Sequence, residues 1–501
     1  MEDHALQIGT DRELFLDDYL VDTAMTTAEH RMLQPSARET VMWLDQPVEA
    51  SSTSYPCLLK DANGYRLYYI AHNRYGNQGK SAICACVLLS FDGKHWTRPN
   101  LGIHEYQGTT ENNIVLGLED FRDNAFFFYD TNPSCPPEQR YKCLADGLPA
   151  SQERKIPGMK RGLWYYYSAD GFHWSCHGLV SVCGQFDTLN TAHWNGKQYV
   201  AYIRNYHNIN MEGVTGQCTA EGVIDINEHY APPGHKNSGV RDIRVMYSDD
   251  FLHWTTPERI CFKDGEDIPL YTNNVIPYPR APQILVGMPV RYYERHAWTP
   301  NFDQLSNPQQ RREIIEREEP RSGLALTDCL FMWSRDGKNW DRFSEAFMTP
   351  GYEHPNNWVY GDCYPSYGFV DSGDQNLYFY TIDYHRSENK PKPVNRHEIR
   401  KDGFACYMAG GREAVLVTKP LVFDGSVLHL NFSTSGFGHI YVDVLDTAGN
   451  AISPKSFEVF GDNIDRLVTF EDGTDFSHFA GKPVRLRFTM LNAKLYSMKF
   501  E

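Results

Sequence analysis

A few carboxylates and guanidinium groups at the roots of long loops are the residues of this 501-residue chain best suited to chemistry. Glu49 ends Asp45-Gln-Pro-Val-Glu49, Asp123 ends Glu119-Asp-Phe-Arg-Asp123, Asp187 opens Asp187-Thr-Leu-Asn190, and Asp362 follows Trp358. Two carboxyl groups facing one cavity suit glycoside hydrolysis. One, protonated, serves the leaving oxygen; the other, ionised, acts as nucleophile or base. Burial and the crowding of like charges raise one pKa and separate the two roles. Asp187 is the best placed, because it interrupts an apolar strand pattern where a carboxylate otherwise has little reason to be. The residues suited to holding a sugar are His72, Asn190, Arg204, Arg241, Tyr271, Asn273, Arg291 and Trp358. Arg204 or Arg241 could restrain the ionised carboxylate or clamp an acid group on the substrate, and Tyr271 or Trp358 could stack on a ring. The competing use of each arginine is a structural salt bridge, and of each aromatic ring, core packing.

The elements that must position these groups are announced by a repeat. Ser90-Phe-Asp92-Gly93-Lys-His-Trp96 recurs as Ser168-Ala-Asp170-Gly171-Phe-His-Trp174, Ser248-Asp-Asp250-Phe-Leu-His-Trp254 and Ser334-Arg-Asp336-Gly337-Lys-Asn-Trp340. The copies begin at intervals of 78, 80 and 86 residues, a regularity that marks a repeat architecture. Each follows a β-rich run such as Ile83–Leu89, so the phrase reads as a turn leaving a strand. Ser and Asp oxygens bond nearby backbone N–H groups, Gly supplies a positive φ, and the Trp covers apolar surface. These aspartates are therefore structural.

Strand-like runs around each turn give five four-stranded sheets in series, the last degenerate around Glu398–Phe404. Their inner strands are expected at residues 54–59, 113–115, 186–190, 271–276 and 364–370. The fold class is all-β, a five-bladed β-propeller with Asp-box-like turns. After residue 415 short alternating strands indicate a C-terminal β-sandwich. The expected division is 1–30 as an N-terminal strand segment packing on the main domain, 31–414 as the propeller and 415–501 as the sandwich. In a propeller successive turns fall on alternate faces, so the Asp turns lie away from the loops between second and third strands. Those loops, 131–160, 205–240, 294–326 and 384–396, rim the channel mouth where the candidate residues gather.

A net charge of −16 speaks against nucleic acid or an anionic membrane as partner. A small carbohydrate fits better, with no cofactor or metal called for and homo-oligomerisation left open. Twelve scattered cysteines without a CxxC pair suggest reduced thiols and a cytoplasmic home.

The turns, the run Trp96-Thr-Arg-Pro-Asn100-Leu-Gly102 leading to Asn112-Asn113-Ile-Val, the segment Phe343-Ser-Glu-Ala-Phe347 … Pro350-Gly351, and the ending Thr418-Lys-Pro-Leu-Val-Phe423 … Lys482-Pro-Val-Arg-Leu-Arg-Phe488 resemble bacterial glycosyl hydrolase family 32-like proteins. The resemblance spans nearly the whole chain and implies the architecture of invertase-, arabinanase- and sialidase-like hydrolases. Arg122-Asp123-Asn124 partly matches an invertase-like second-blade Arg-Asp-Pro motif. The Asn-Asp-Pro-Asn and Glu-Cys motifs of that group are absent, and Glu49 and Asp187 stand in for them by position only. The expected activity is an exo-acting glycoside hydrolase on a small oligosaccharide. The alternatives are a non-catalytic sugar-binding propeller and a phosphorylase or lyase, the phosphorylase implying that Arg204, Arg241 and Arg291 converge.

Overall fold

The computed structural model describes residues 5–77, 80–117, 120–121, 123–147, 162–207, 240–295, 297–318, 320–470, 473 and 475–501. Glu119 and Arg122 of the second-blade motif lie outside them. The chain is mostly β, and five sheets follow one another as the blades of a propeller. The first blade runs Ser52–Asp61, Gly64–Asn77, Lys80–Ser90 and Ile114–Leu116; the second runs Ala125–Tyr129, Tyr141–Asp146, Leu163–Ser168 and Ser175–Ser181. The third consists of Thr191–Trp194, Tyr199–His207, Val240–Ser248 and Glu258–Arg259. In the fourth, Ile276–Tyr278, Ala281–Gly287, Met332–Ser334 and Asn339–Arg342 are joined at the outer edge by Cys261–Phe262. These strands read as continuous apolar runs rather than alternations because neighbouring blades cover both faces: Leu67, Tyr68 and Tyr69 are all fully buried.

The fifth blade closes the ring. Asn376–Ile382 pairs with Lys392–Arg400, and the third strand of that sheet is Ala37–Leu44, from the other end of the chain. The inner edge is made by single bridges at Pro365 and Val370.

Each repeated turn is a set of hydrogen bonds. Asp92, Asp170, Asp250 and Asp336 each accept two backbone N–H bonds, from the residues two and three further on, at 2.7–2.9 Å. The turns also latch blade to blade. The Tyr68 hydroxyl of the first blade donates to the Gly171 carbonyl of the second at 2.8 Å. Tyr202 of the third donates to Gly337 of the fourth at 2.9 Å, and Tyr380 of the fifth donates to Gly93 of the first. Tyr278 of the fourth blade donates to Asp402 in the fifth-blade turn at 2.8 Å. In the third blade Phe251, at φ 69°, stands where the other turns have glycine. There the latch is the Lys142 ammonium, 5.1 Å from the Phe251 ring centre.

Several expectations are corrected. Residues 113–115 close the first blade rather than open the second, and Tyr141–Asp146, expected within a loop, is a second-blade strand. The inner strand of the third blade begins at Thr191 and that of the fourth at Ile276, so residues 186–190 and 271–275 are the segments leading in. The 294–326 loop is not irregular: the hairpin Val290–Glu294 with Ala325–Cys329 carries three short helices, Pro300–Gln304, Pro308–Arg317 and Pro320–Leu324. Each helix starts with a proline, a residue suited to the first helical position. Among the described cysteines, Cys183 is disulfide-bonded and the other ten are free.

Beyond the propeller, Leu428–Leu445 and Arg485–Phe500 form the spine of a seven-stranded sheet with its own apolar core. The N-terminal segment pairs its strands with this C-terminal layer, while Leu14 and Leu16 share a core with the fourth blade and Asp17 accepts the Trp333 Nε1–H. Leu6–Gly9 runs parallel to Leu421–Phe423, and Glu29–Met32 pairs with Ala405–Met408.

Candidate active site

The candidate site is built from the segments that lead into the inner strands. In the first blade a register shift between Ser54 and Cys57 turns Tyr55, at φ 53°, out of the sheet. Asp123 stands two residues before Ala125–Tyr129, and Asp187 four before Thr191–Trp194. Tyr271 precedes the fourth-blade inner strand, and Tyr360 and Tyr364 precede that of the fifth. Their rings gather: Tyr55 to Tyr364 is 5.9 Å between centres, Tyr271 to Tyr364 5.8 Å, Tyr271 to Tyr360 5.7 Å and Tyr292 to Tyr360 5.3 Å. The charge of Asp123 bears on Tyr55, and the Tyr271 hydroxyl donates to the Asp187 carbonyl at 3.5 Å.

Guanidinium groups are set into this tyrosine cage. Arg204 is fully buried and ion-paired with Asp187, whose side chain remains 27% exposed. Strand alternation puts Arg204 and Tyr206 on one face, and the antiparallel register sets Arg241 opposite Tyr206. The Arg204 guanidinium lies 4.8 Å from the Tyr206 ring centre and 4.9 Å from that of Tyr271, while Arg241 lies 4.0 Å from that of Tyr292. Arg386 lies 4.6 Å from the Tyr360 ring centre and pairs with Glu318. Burial alone would raise the Tyr206 phenol, but Arg204 and Arg241 outweigh it and bring it down to about 8. Burial instead drives Tyr271 above the ordinary phenol range, with Tyr360 adding to it. The arrangement thus offers a reachable carboxylate held against a buried arginine, beside a phenol that can lose its proton near neutral pH.

The structure brings together Asp187, Arg204, Arg241 and Tyr271, and the charge of Asp123 reaches Tyr55 of the same cage. It turns the other candidates to different uses. Glu49 is 1% exposed, and its oxygens are taken by Tyr69, Arg98 and the Gln46 N–H between the first and fifth blades. Burial raises its pKa against the pull of Arg98. Glu49 is a buried structural carboxylate. The Asp362 carboxylate accepts the Val359 N–H of its own turn at 2.9 Å, beside a cavity of about 20 Å³ shared with Asp383 and His397. Asn190 bonds the Phe186 and Thr188 carbonyls, and Asn273 bridges to Thr191 and Tyr202 of the neighbouring blade. These two asparagines fasten backbone. His72 is half-buried within the first blade's second strand, opposite Ser52.

Arg291 does not converge with Arg204 and Arg241. It is paired with Asp328 at 2.6 Å and, with Trp358, lines a separate groove of about 480 Å³ behind the fourth-blade hairpin. Tyr292 and Tyr293, adjacent on one strand, point to opposite sides, so this hairpin divides the cage from that groove. Sequence reasoning missed Tyr55, Tyr206, Tyr292, Tyr360, Tyr364 and Arg386. The spacing Arg204-Asn-Tyr206 was a usable signal for one of them; the others depend on a bulge and on loop packing that no period reveals.

No family model matches the chain, and no curated relative matches it. Among solved structures it is similar to an N-acetylgalactosamine deacetylase from F. plautii in complex with blood group B trisaccharide. That likeness is 14% identity over 75% of this chain and 96% of the other, with a TM-score of 0.42. A glycosyl hydrolase from Bacteroides ovatus matches at 12% identity over 78% and 97%, TM-score 0.38. An α-L-arabinofuranosidase from Fusarium graminearum matches at 9% identity over 74% and 98%, TM-score 0.37. At such scores the ground for the fold is the strand pairing itself.

Proposed function

We propose that this chain is a carbohydrate-active enzyme that hydrolyses a glycosidic bond of a small sugar at the mouth of the propeller channel. Asp187 is the ionised carboxylate and Asp123 the proton donor. The observation that carries this reading is the Arg204–Asp187 pair: a fully buried guanidinium spent on a carboxylate that stays 27% exposed, inside an aromatic cage. Glu49, which also faces an arginine, is by contrast fully covered. Aromatic rings suit the apolar faces of a sugar, and the charged groups suit the developing charges of an oxocarbenium-like transition state. The cation-rich cage also suits phosphorolysis, and Arg241 is the observation that favours it as the second reading.

The test is a panel of aryl glycosides and oligosaccharides with and without phosphate, products being followed by proton NMR. Hydrolysis without phosphate supports the first reading, and a strict phosphate requirement supports the second. Sugar binding with no bond cleaved on any member leaves a binding propeller and overturns both.

A further inference from the structure

The cations of the cage are not equivalently matched. Arg204 is paired with Asp187, and Arg386 with Glu318. Arg241 is 8% exposed and faces rings: Tyr292 at 4.0 Å, Tyr206 at 5.4 Å and Tyr271 at 5.6 Å. Among the described residues it has no carboxylate and no hydrogen-bond acceptor, and its Nε is buried without a partner. A buried guanidinium is costly unless paired, and ring faces offset only part of that cost. The chain as a whole carries a net charge of −16, so a concentration of positive charge here runs against the average surface. Tyr206 senses the same field: despite burial, its phenol is brought down to about 8 by Arg204 and Arg241.

We infer that the cage receives an oxyanion, a carboxylate borne by the sugar or a free phosphate, bound by the fork of Arg241. Planar guanidinium groups match the two oxygens of such anions through paired N–H···O bonds. Because Arg204 is already matched to Asp187, the charge of Arg241 is the one left for the ligand among these three. This deepens the reading above and rests on it for the sugar.

Calorimetric titration of the full chain tests it. Glucuronate and galacturonate are each compared with their methyl esters, which remove only the charge, and inorganic phosphate is titrated alone and in competition. A free acid that binds at least about tenfold tighter than its ester supports the sugar carboxylate; phosphate binding with no acid–ester difference supports phosphate. Either form should weaken by about 30-fold in Arg241→Met, the loss of a charge-assisted hydrogen bond. Arg241→Lys should keep part of the affinity, and Arg312→Gln, in a surface pair with Asp303, all of it. Esters that match the acids together with no phosphate binding overturn the inference, as does wild-type anion affinity in Arg241→Met. Should Arg241→Met fail to fold, the acid–ester and phosphate titrations of the wild type decide alone. Asp187-dependent cleavage without anion preference defeats this inference and leaves the proposed activity standing. Anion binding without any glycosidic cleavage does the reverse.

Discussion

Glu49 and Asp187 are both carboxylates facing an arginine, and they differ in what else touches them. Glu49 has Tyr69, Arg98 and a backbone N–H on its oxygens and no exposure, whereas Asp187 keeps a quarter of its side chain open. Glu49→Gln should therefore lower stability by about 3 kcal/mol in urea unfolding while kcat survives, since it breaks a buried pair. A large loss of kcat with unchanged stability would return Glu49 to the site. Tyr206 gives a second residue-scale expectation. Its folded pKa, about 8, lies below the ordinary phenol value near 10. Its contribution to stability is thus fully present above the unfolded pKa and lost as pH falls through the folded one, so the change runs between roughly pH 10 and 8. Ultraviolet difference titration should show one phenol ionising near pH 8, moved upward in Arg241→Met. Asp187 was legible in sequence because a charge broke an apolar run. Tyr206 was obscured by being one of 31 tyrosines, most of which serve packing.

At the scale of elements, the repeated turn was legible because its residues act on their own backbone. Local hydrogen bonds leave a local signature. The latches were not legible, since the partner of each turn, a tyrosine or in the third blade Lys142, lies 103–287 residues away, as in Tyr68 to Gly171 and Tyr380 to Gly93. Strand starts in the third and fourth blades were misread for a related reason: Phe186, Leu189, Tyr271 and Val275 are buried by packing between blades although they lie ahead of the inner strands. Tyr202→Phe should cost about 1 kcal/mol, because the buried Gly337 carbonyl loses the Tyr202 hydroxyl but keeps the Trp340 Nε1 donor. Glycines at the same φ separate conformation from crowding. Gly171 and Gly351 both sit at φ 77°, yet a methyl on Gly171 would lie 2.5 Å from Arg66 Nη1 and 2.6 Å from the Tyr68 hydroxyl, while one on Gly351 meets nothing. Gly351→Ala should cost about 1 kcal/mol, and Gly171→Ala clearly more. Equal midpoints in thermal unfolding would remove the latch from the account.

At the scale of the whole molecule, the two chain ends secure the ring. Ala37–Leu44 completes the fifth blade, and Leu6–Gly9 is bound into the C-terminal layer. The pattern of strands predicted five blades, but not which terminus supplies the last strand, because pairing across the entire chain leaves no periodicity to read. Deleting residues 1–44 should expose the edge of Lys392–Arg400 and lower the unfolding midpoint of the entire propeller rather than melt one blade. A midpoint within a few degrees of the intact chain would show that the ring closes without it.

The ring exists, on this account, to bring Asp123 and Asp187 to one mouth. The most direct test is the kcat/KM of Asp187→Asn, Asp123→Asn and Glu49→Gln measured side by side on the best glycoside of the panel. The predicted result is a loss of about 10²–10⁴-fold for each aspartate variant, with Glu49→Gln near wild type. Wild-type kcat/KM in a correctly folded Asp187→Asn would contradict it.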